Sequence, residues 1–225
     1  MPTQKKLLLL FDGHALVHRA YHALPPFSVT RTGEPTGAVY GFASMLLKVV
    51  SELKPTHWAV AFDTPAPTFR HKQFEAYKAH RPPAPEDLKS QFTRVRELVD
   101  AFNLPSFEVD GFEADDIIGT ISRQASEQGI DTVIVTGDTD TFQLVSPHVS
   151  VLTPRPGKTF SDTIVYDGET VEQRYGLTPQ QLADLRGLKG DPSDNIPGVS
   201  GVGEKTATKL LQQFQRSASC CGVKP

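Results

Sequence analysis

Three apolar runs in the chain are short, dense and each closed by an aspartate: "KLLLLFD" ending at Asp12, "HWAVAFD" ending at Asp63 and "DTVIVTGD" ending at Asp138. Unbroken apolar runs of this length, without alternation, predict strands buried on both faces of a parallel sheet. Between the first two lies a helical pattern over Ala38 to Leu53, with Val39, Phe42, Leu46, Val49, Val50 and Leu53 on one side and a stop at Pro55. Two more follow a proline-rich stretch, at Glu86 to Phe102 and at Ala114 to Gln128, the latter closed by Gly129 in the C-cap manner. The segment "VLTPRPGKTFSDTIVYD" predicts a strand pair, and "DGETVEQRYG" and "TPQQLADLRGLKG" predict helices. The stretch Gly190 to Phe214 ends in an amphipathic helix with Ala207, Leu210, Leu211 and Phe214 on one side. Strands alternating with helices give an α/β domain with a mostly parallel central sheet and flanking helices.

In such a sheet the ligand crevice lies outside the carboxyl ends of the strands, where Asp12, Asp63 and Asp138 would meet. Any one of these aspartates alone reads more readily as a helix cap or turn residue, but three strands ending alike are harder to explain as caps. Asp140 follows Asp138 by two residues, and an extended chain would point both carboxylates to one side. "DGFEADDIIG" adds Glu113, Asp115 and Asp116 at the start of a helix that Ile117 and Ile118 anchor, and "GDPSD" adds Asp191 and Asp194. Asp110, in the same run, reads as part of the turn before that helix. Nine carboxylates gathered in one cleft need cations to stay ionised. With no histidine or cysteine in the set, the all-oxygen ligation suits Mg2+ or Mn2+, and a pair of ions roughly 3.5–4 Å apart would serve phosphoryl chemistry.

Charge sharpens this picture. The net charge is −3, yet setting aside the nine acids leaves 17 acidic against 23 basic residues, about +6, on the rest of the molecule. Arg70 to Arg96 carries seven basic and three acidic residues, a local +4 and a candidate patch for a phosphate polymer. The glycines of "GVSGVGEKTA", Gly198, Gly201 and Gly203, present backbone N–H groups beside Lys205 and Lys209, an arrangement that can grip phosphates without reading bases. His14, His18 and His22 recur every four residues, as one face of a helix beginning after Asp12 would place them, and are not read as ligands. The longest N-terminal apolar run, Leu7 to Phe11, is too short for a signal peptide or a membrane span, so a cytoplasmic location is expected. Cys220 and Cys221 are the only cysteines, leaving no disulfide framework and no zinc spacing.

Six ordered segments then match one family: "LFDGHALVHRAYHAL", "GAVYGFASMLLKVV", "AVAFDTPAPTFRHKQFEAYKAHRPPAPEDL", "DGFEADDIIGTI", "VTGDTDTFQLV" and "GLKGDPSDNIPGVSGVGEKTA". The chain resembles, from about Leu7 to Phe214, the 5′ nuclease domain of bacterial DNA polymerase I in the flap endonuclease family. The resemblance implies a PIN-like 5′ nuclease fold with a helical arch over the site and a helix-hairpin-helix type motif at about 190–214. It also implies two-metal cleavage of 5′ flaps, nicks and 5′ ends in DNA, with RNA primers as further substrates. By position it makes Asp12, Asp63, Glu113, Asp115, Asp116, Asp138, Asp140, Asp191 and Asp194 the acids of the Mg2+ or Mn2+ site. Lys78 and Arg81 become catalytic groups, Arg19 and Arg70 DNA contacts, and Tyr77 a platform for a base. A K+ ion at the helix-hairpin-helix type motif, a monomeric state and a bacterial cytoplasmic setting belong to the same expectation, with no polymerase domain in this chain. Residues 1–214 are then the nuclease domain. Residues 215–225 ("QRSASCCGVKP") are expected to be an atypical, disordered tail, where relatives continue with further helices. Two alternatives remain open: a DNA-structure-binding module left inactive by truncation, and a PIN-like metal-dependent RNase. A small-molecule phosphatase fits poorly, since His14 stands where its second acid would be.

Overall fold

The computed structural model describes residues 5–155 and 158–214. In chain order the elements are β1 (Leu7–Asp12), α1 (Gly13–Ala23), α2 (Gly37–Leu53), β2 (His57–Ala61), α3 (Phe69–Gln73), α4 (Glu86–Ala101), β3 (Ser106–Phe107) and α5 (Ala114–Glu127). There follow β4 (Asp131–Val135), β5 (Val149–Pro154), β6 (Thr163–Tyr166), α6 (Gly168–Tyr175), α7 (Leu182–Lys189) and α8 (Glu204–Phe214). The six strands form one sheet in the order β3-β2-β1-β4-β5-β6, parallel throughout except for β6, which runs antiparallel to β5. β1 is central, with Leu9 opposite Trp58 on β2 and Val133 on β4.

The unbroken apolar runs are explained by burial on both faces. Leu9, Phe11, Val60 and Val135 point into a core shared with Phe42, Leu46 and Val49 of α2 and Val95 and Val99 of α4. Their neighbours Leu10, Ala59, Ala61 and Ile134 point the other way, onto Ile117 and Ile118 of α5 and Leu182, Leu185, Leu188 and Leu211 of α7 and α8. The period of two along each strand thus divides one apolar run between two cores. Among the described residues, no helix is long and apolar enough to cross a membrane.

Three expectations change. Asp12 closes β1, but β2 ends at Ala61 and β4 at Val135, so Asp63 and Asp138 stand in the loops beyond. The chain is not extended after Asp138; a 3-10 turn runs from Thr139 to Leu144, because the Asp138 carboxylate accepts the Asp140 N–H at 2.8 Å and caps it. Between α3 and α4 the chain is not helical. Residues 74–85 form turns and coil, in keeping with Pro82, Pro83 and Pro85, which lack N–H donors. This segment is tied to the loop after α7: the Lys78 N–H donates to the Asp194 carbonyl (3.0 Å) and Asn195 Nδ2 to the Ala76 carbonyl (2.8 Å). Finally, Phe214 shares a helix face with buried Ala207 and Leu211 but lies at the end of α8, 41% exposed.

The loop 190–203 joins α7 to α8. It is drawn tight at Gly198, where a Cβ would lie 2.3 Å from the Lys189 carbonyl carbon and 2.4 Å from the Gly190 nitrogen. Only glycine permits that backbone approach. Gly201 adopts φ +78, while Gly203, just before α8, faces open space. Residues 215–225 lie outside the described residues.

Candidate active site

The loops after β1, β2 and β4 and the first turn of α5 surround a cavity of about 610 Å³. Eight of the nine expected acids line it: Asp12, Asp63, Glu113, Asp115, Asp116, Asp138, Asp140 and Asp194. Asp191 lines an adjoining cavity of about 210 Å³ that shares Asp140 and Ser193.

Capping and site duties coincide. The Asp12 carboxylate accepts the Ala15 N–H (2.9 Å) at the start of α1, and that of Asp63 accepts the Ala114 N–H (2.7 Å) at the start of α5. These bonds aim the acids as well as closing the helices. The second Asp12 oxygen accepts the Thr136 hydroxyl at 2.7 Å, and the Thr136 oxygen accepts the Asp138 N–H at 3.0 Å, so a buried threonine ties two acids from different strands.

Charge compensation divides the acids into two groups. In the first, burial pushes Asp12 up to about 7 against its two hydrogen bonds, with Asp63 and Asp138 adding to the rise. Burial also holds Asp115 well above the usual carboxylate range, reinforced by Asp12, Asp138, Asp140 and Asp63. Asp140 is pushed up to about 7 by burial and by Asp138, with Arg186 working the other way. This group is short of positive charge. In the second group the protein supplies cations itself. Arg70 grips Asp116 with both guanidinium ends at 2.7 and 2.8 Å. Burial works to raise Asp116, but this fork and the Glu113 N–H outweigh it and leave the carboxyl below its ordinary value. Lys78 Nζ lies 3.0 Å from Glu113, and Arg81 lies 2.6 Å from Asp194. The Tyr77 hydroxyl is shared between Glu113 (3.1 Å) and Asp194 (3.0 Å).

Tyr77 therefore corrects an expectation. It is 4% exposed, with Lys78 Nζ 4.9 Å from its ring centre and His71 edge-on, so its ring offers no open face to a base in this conformation. Lys78 is held in the cavity by a left-handed backbone, φ +54, unusual for a non-glycine residue. Arg70, Lys78 and Arg81 line the cavity as the acids do, whereas Arg19 is exposed on α1 beside Gly137. Gly198, Gly201 and Gly203 lie in the α7–α8 loop and Lys205 and Lys209 on α8, outside the linings of both cavities. Asp110 is exposed in the turn before α5, as expected.

Several cavity residues were not among the expected site residues. His14 and His18 line the cavity, and His14 Nδ1 accepts the Asp63 N–H at 3.0 Å; burial lowers the His14 pKa, which keeps that nitrogen an acceptor. Ser193 donates its N–H (2.9 Å) and hydroxyl (2.6 Å) to Asp191. Burial works to raise Asp191, but these bonds and Arg186 hold it below its ordinary value. Arg186, in the last turn of α7, forms an ion pair with Asp140 and stands 3.8 Å from Asp191. A basic residue one helical turn ahead of an acidic loop was the signal available for it. An oxygen from each of Asp140, Asp191 and Asp194 falls within 4.8 Å of the others, close enough to share one cation.

The profile of the 5′-3′ exonuclease N-terminal resolvase-like domain matches residues 7–176, and that of the 5′-3′ exonuclease C-terminal SAM fold matches residues 177–221. DNA polymerase I of Chloroflexus aurantiacus is 52% identical over 211 residues, covering 93% of this chain and 22% of the relative. DNA polymerase I of Bacillus caldotenax is 49% identical over 210 residues, covering 93% and 24%. The chain thus spans about a quarter of the length of these curated relatives. Among solved structures, a bacteriophage T5 flap endonuclease in a pseudo-enzyme–product complex with DNA and metal ions superposes with TM-score 0.76 at 20% identity, covering 98% of this chain and 79% of that one. T5 5′-exonuclease with bound zinc gives TM-score 0.73 at 21% identity, covering 94% and 76%. At these identities the superpositions speak for the fold alone.

Proposed function

The chain belongs to the 5′-3′ exonuclease family, and from that premise we propose that it hydrolyses phosphodiesters at 5′ flaps, nicks and 5′ ends of DNA, and in RNA primers, with Mg2+ or Mn2+ as cofactor. The observation that carries this reading is the convergence of Asp12, Asp63, Asp115, Asp138 and Asp140 on one cavity, where Asp12 and Asp140 are pushed up to about 7 although Arg186 pairs with Asp140. Protein cations serve the other acids, and a hard, all-oxygen donor set of this charge fits divalent magnesium or manganese. When bound, such ions supply an acidified water and stabilise charge on the departing oxygen. Asp140, Asp191 and Asp194 are suited to hold a further ion.

The chain's own residues orient the substrate. Lys78, Arg81 and Arg70 stand where a phosphate entering the cavity meets positive charge, and each is now paired with an acid from which a phosphate oxygen can draw it. The α7–α8 loop offers backbone N–H groups, Lys205 and Lys209 to the duplex phosphates, with K+ as a supporting ion there. The chain works as a monomer in the bacterial cytoplasm, beside a polymerase domain where the longer protein carries one.

Substrate class separates this reading from a PIN-like RNase and from a binding module. Offered equal amounts of a 5′-flap DNA and a single-stranded RNA of the flap sequence, the protein is expected to cut the flap DNA at least about tenfold faster, at its base. Faster cutting of the RNA would favour the RNase, and binding without cutting would favour the module.

A further inference from the structure

Arg186 is held differently from the other cations of the cleft. Arg70 is satisfied by a two-point fork on one carboxylate. Arg186 instead divides its charge between Asp140, which it pairs with through one terminal nitrogen, and Asp191, 3.8 Å from its Nε. Its other terminal nitrogen is buried and has no hydrogen-bond acceptor among the described residues. The guanidinium is therefore retained by net charge more than by fitted hydrogen bonds. Ser193 occupies one Asp191 oxygen and leaves the other to Arg186. The neighbouring base, Lys189, is engaged with Glu204 at 2.8 Å. The two acids that Arg186 meets are also two of the three whose oxygens converge within 4.8 Å.

We infer that Arg186 is a resident counter-cation that competes with a divalent ion for the Asp140, Asp191 and Asp194 group, and so sets the affinity of that position. The inference rests on the metal-dependent reading given above. Without an ion the guanidinium offsets repulsion among the acids; an entering ion claims the same oxygens and displaces it. The cavity of about 210 Å³ between α7 and the Asp191 loop, which Arg186 lines with Thr139 and Tyr175, gives the side chain room to withdraw. Arg186 acts through the acids and is a positioning residue.

Mn2+ binding to the full chain, followed by calorimetry and by the ion's effect on melting temperature, tests this without any substrate. Arg186→Met is expected to bind Mn2+ about tenfold more tightly at one position, to melt lower than the parent in chelator and to gain more from Mn2+. Arg186→Lys keeps a charge but cannot reach both acids, and is expected to fall between the two, so the test survives if the methionine variant folds poorly. Affinity unchanged or weaker in both variants, while Asp191→Asn reduces the number of ions bound, would overturn the role of Arg186 and leave the metal reading standing. An unchanged ion count in Asp191→Asn would overturn both.

Discussion

Asp115→Asn is expected to lower Mg2+-dependent cleavage of a 5′-flap DNA by roughly 10³-fold or more, about 4 kcal/mol of transition-state stabilisation, while leaving DNA affinity within about twofold of the parent. The fold disfavours the ionised form of Asp115: burial comes first, and Asp12, Asp138, Asp140 and Asp63 all press the same way. Asparagine keeps its shape and removes the charge that a cation would need. The same substitution is expected to stabilise the metal-free protein. A carboxyl whose folded pKa is raised above 3.8 contributes stability below that value and loses it as pH climbs through the folded pKa. In chelator, the melting temperature of Asp115→Asn should therefore exceed the parent's by more at pH 8 than at pH 5. A residue that mattered only for packing would lose stability at both pH values.

Lys78→Met is expected to cut the single-turnover cleavage rate by roughly 10²-fold, about 2.7 kcal/mol, with a much smaller change in DNA affinity. The ammonium group is fixed by three restraints: a left-handed backbone, the N–H bond to the Asp194 carbonyl and the 3.0 Å contact with Glu113. A backbone held in a sparsely populated conformation inside a cavity is a common mark of a functional position. Glu113 keeps the Tyr77 hydroxyl and the nearby Arg70 after the substitution, so folding should survive it. Equal losses in affinity and rate would instead make Lys78 an ordinary phosphate contact.

These two residues were legible in the sequence to different degrees. Asp115 follows from local pattern: an acidic first turn ahead of Ile117 and Ile118 predicts a helix start facing a cleft, and α5 begins at Ala114 as the periodicity requires. The three apolar runs likewise gave parallel strands at the centre of the sheet, because burial on both faces leaves no alternation to mistake. Lys78 became a candidate only through the family resemblance, since its partners, Glu113 and Asp194, are 35 and 116 residues away in sequence. Arg186 escaped notice for the same reason, as its charge is paired across the sheet's mouth with Asp140. Tyr77 was placed in the cleft, but no local signal could say that its hydroxyl would be claimed by two carboxylates. The turn at Asp138 was hidden by a cap that an aspartate forms as readily as it serves a site. Two-residue β3 is too short for any periodicity to show.

A divalent cation held by the cleft acids for cutting DNA at a 5′ end is tested by incubating the chain with an end-labelled 5′-flap duplex while Mg2+ is raised from a chelated baseline. No cleavage is expected in chelator and, as Mg2+ saturates, release of the flap by cutting at its base to leave a 5′ phosphate on the duplex. Cleavage that proceeds equally in chelator, or a duplex that stays bound and intact at saturating Mg2+ and Mn2+, would contradict that role.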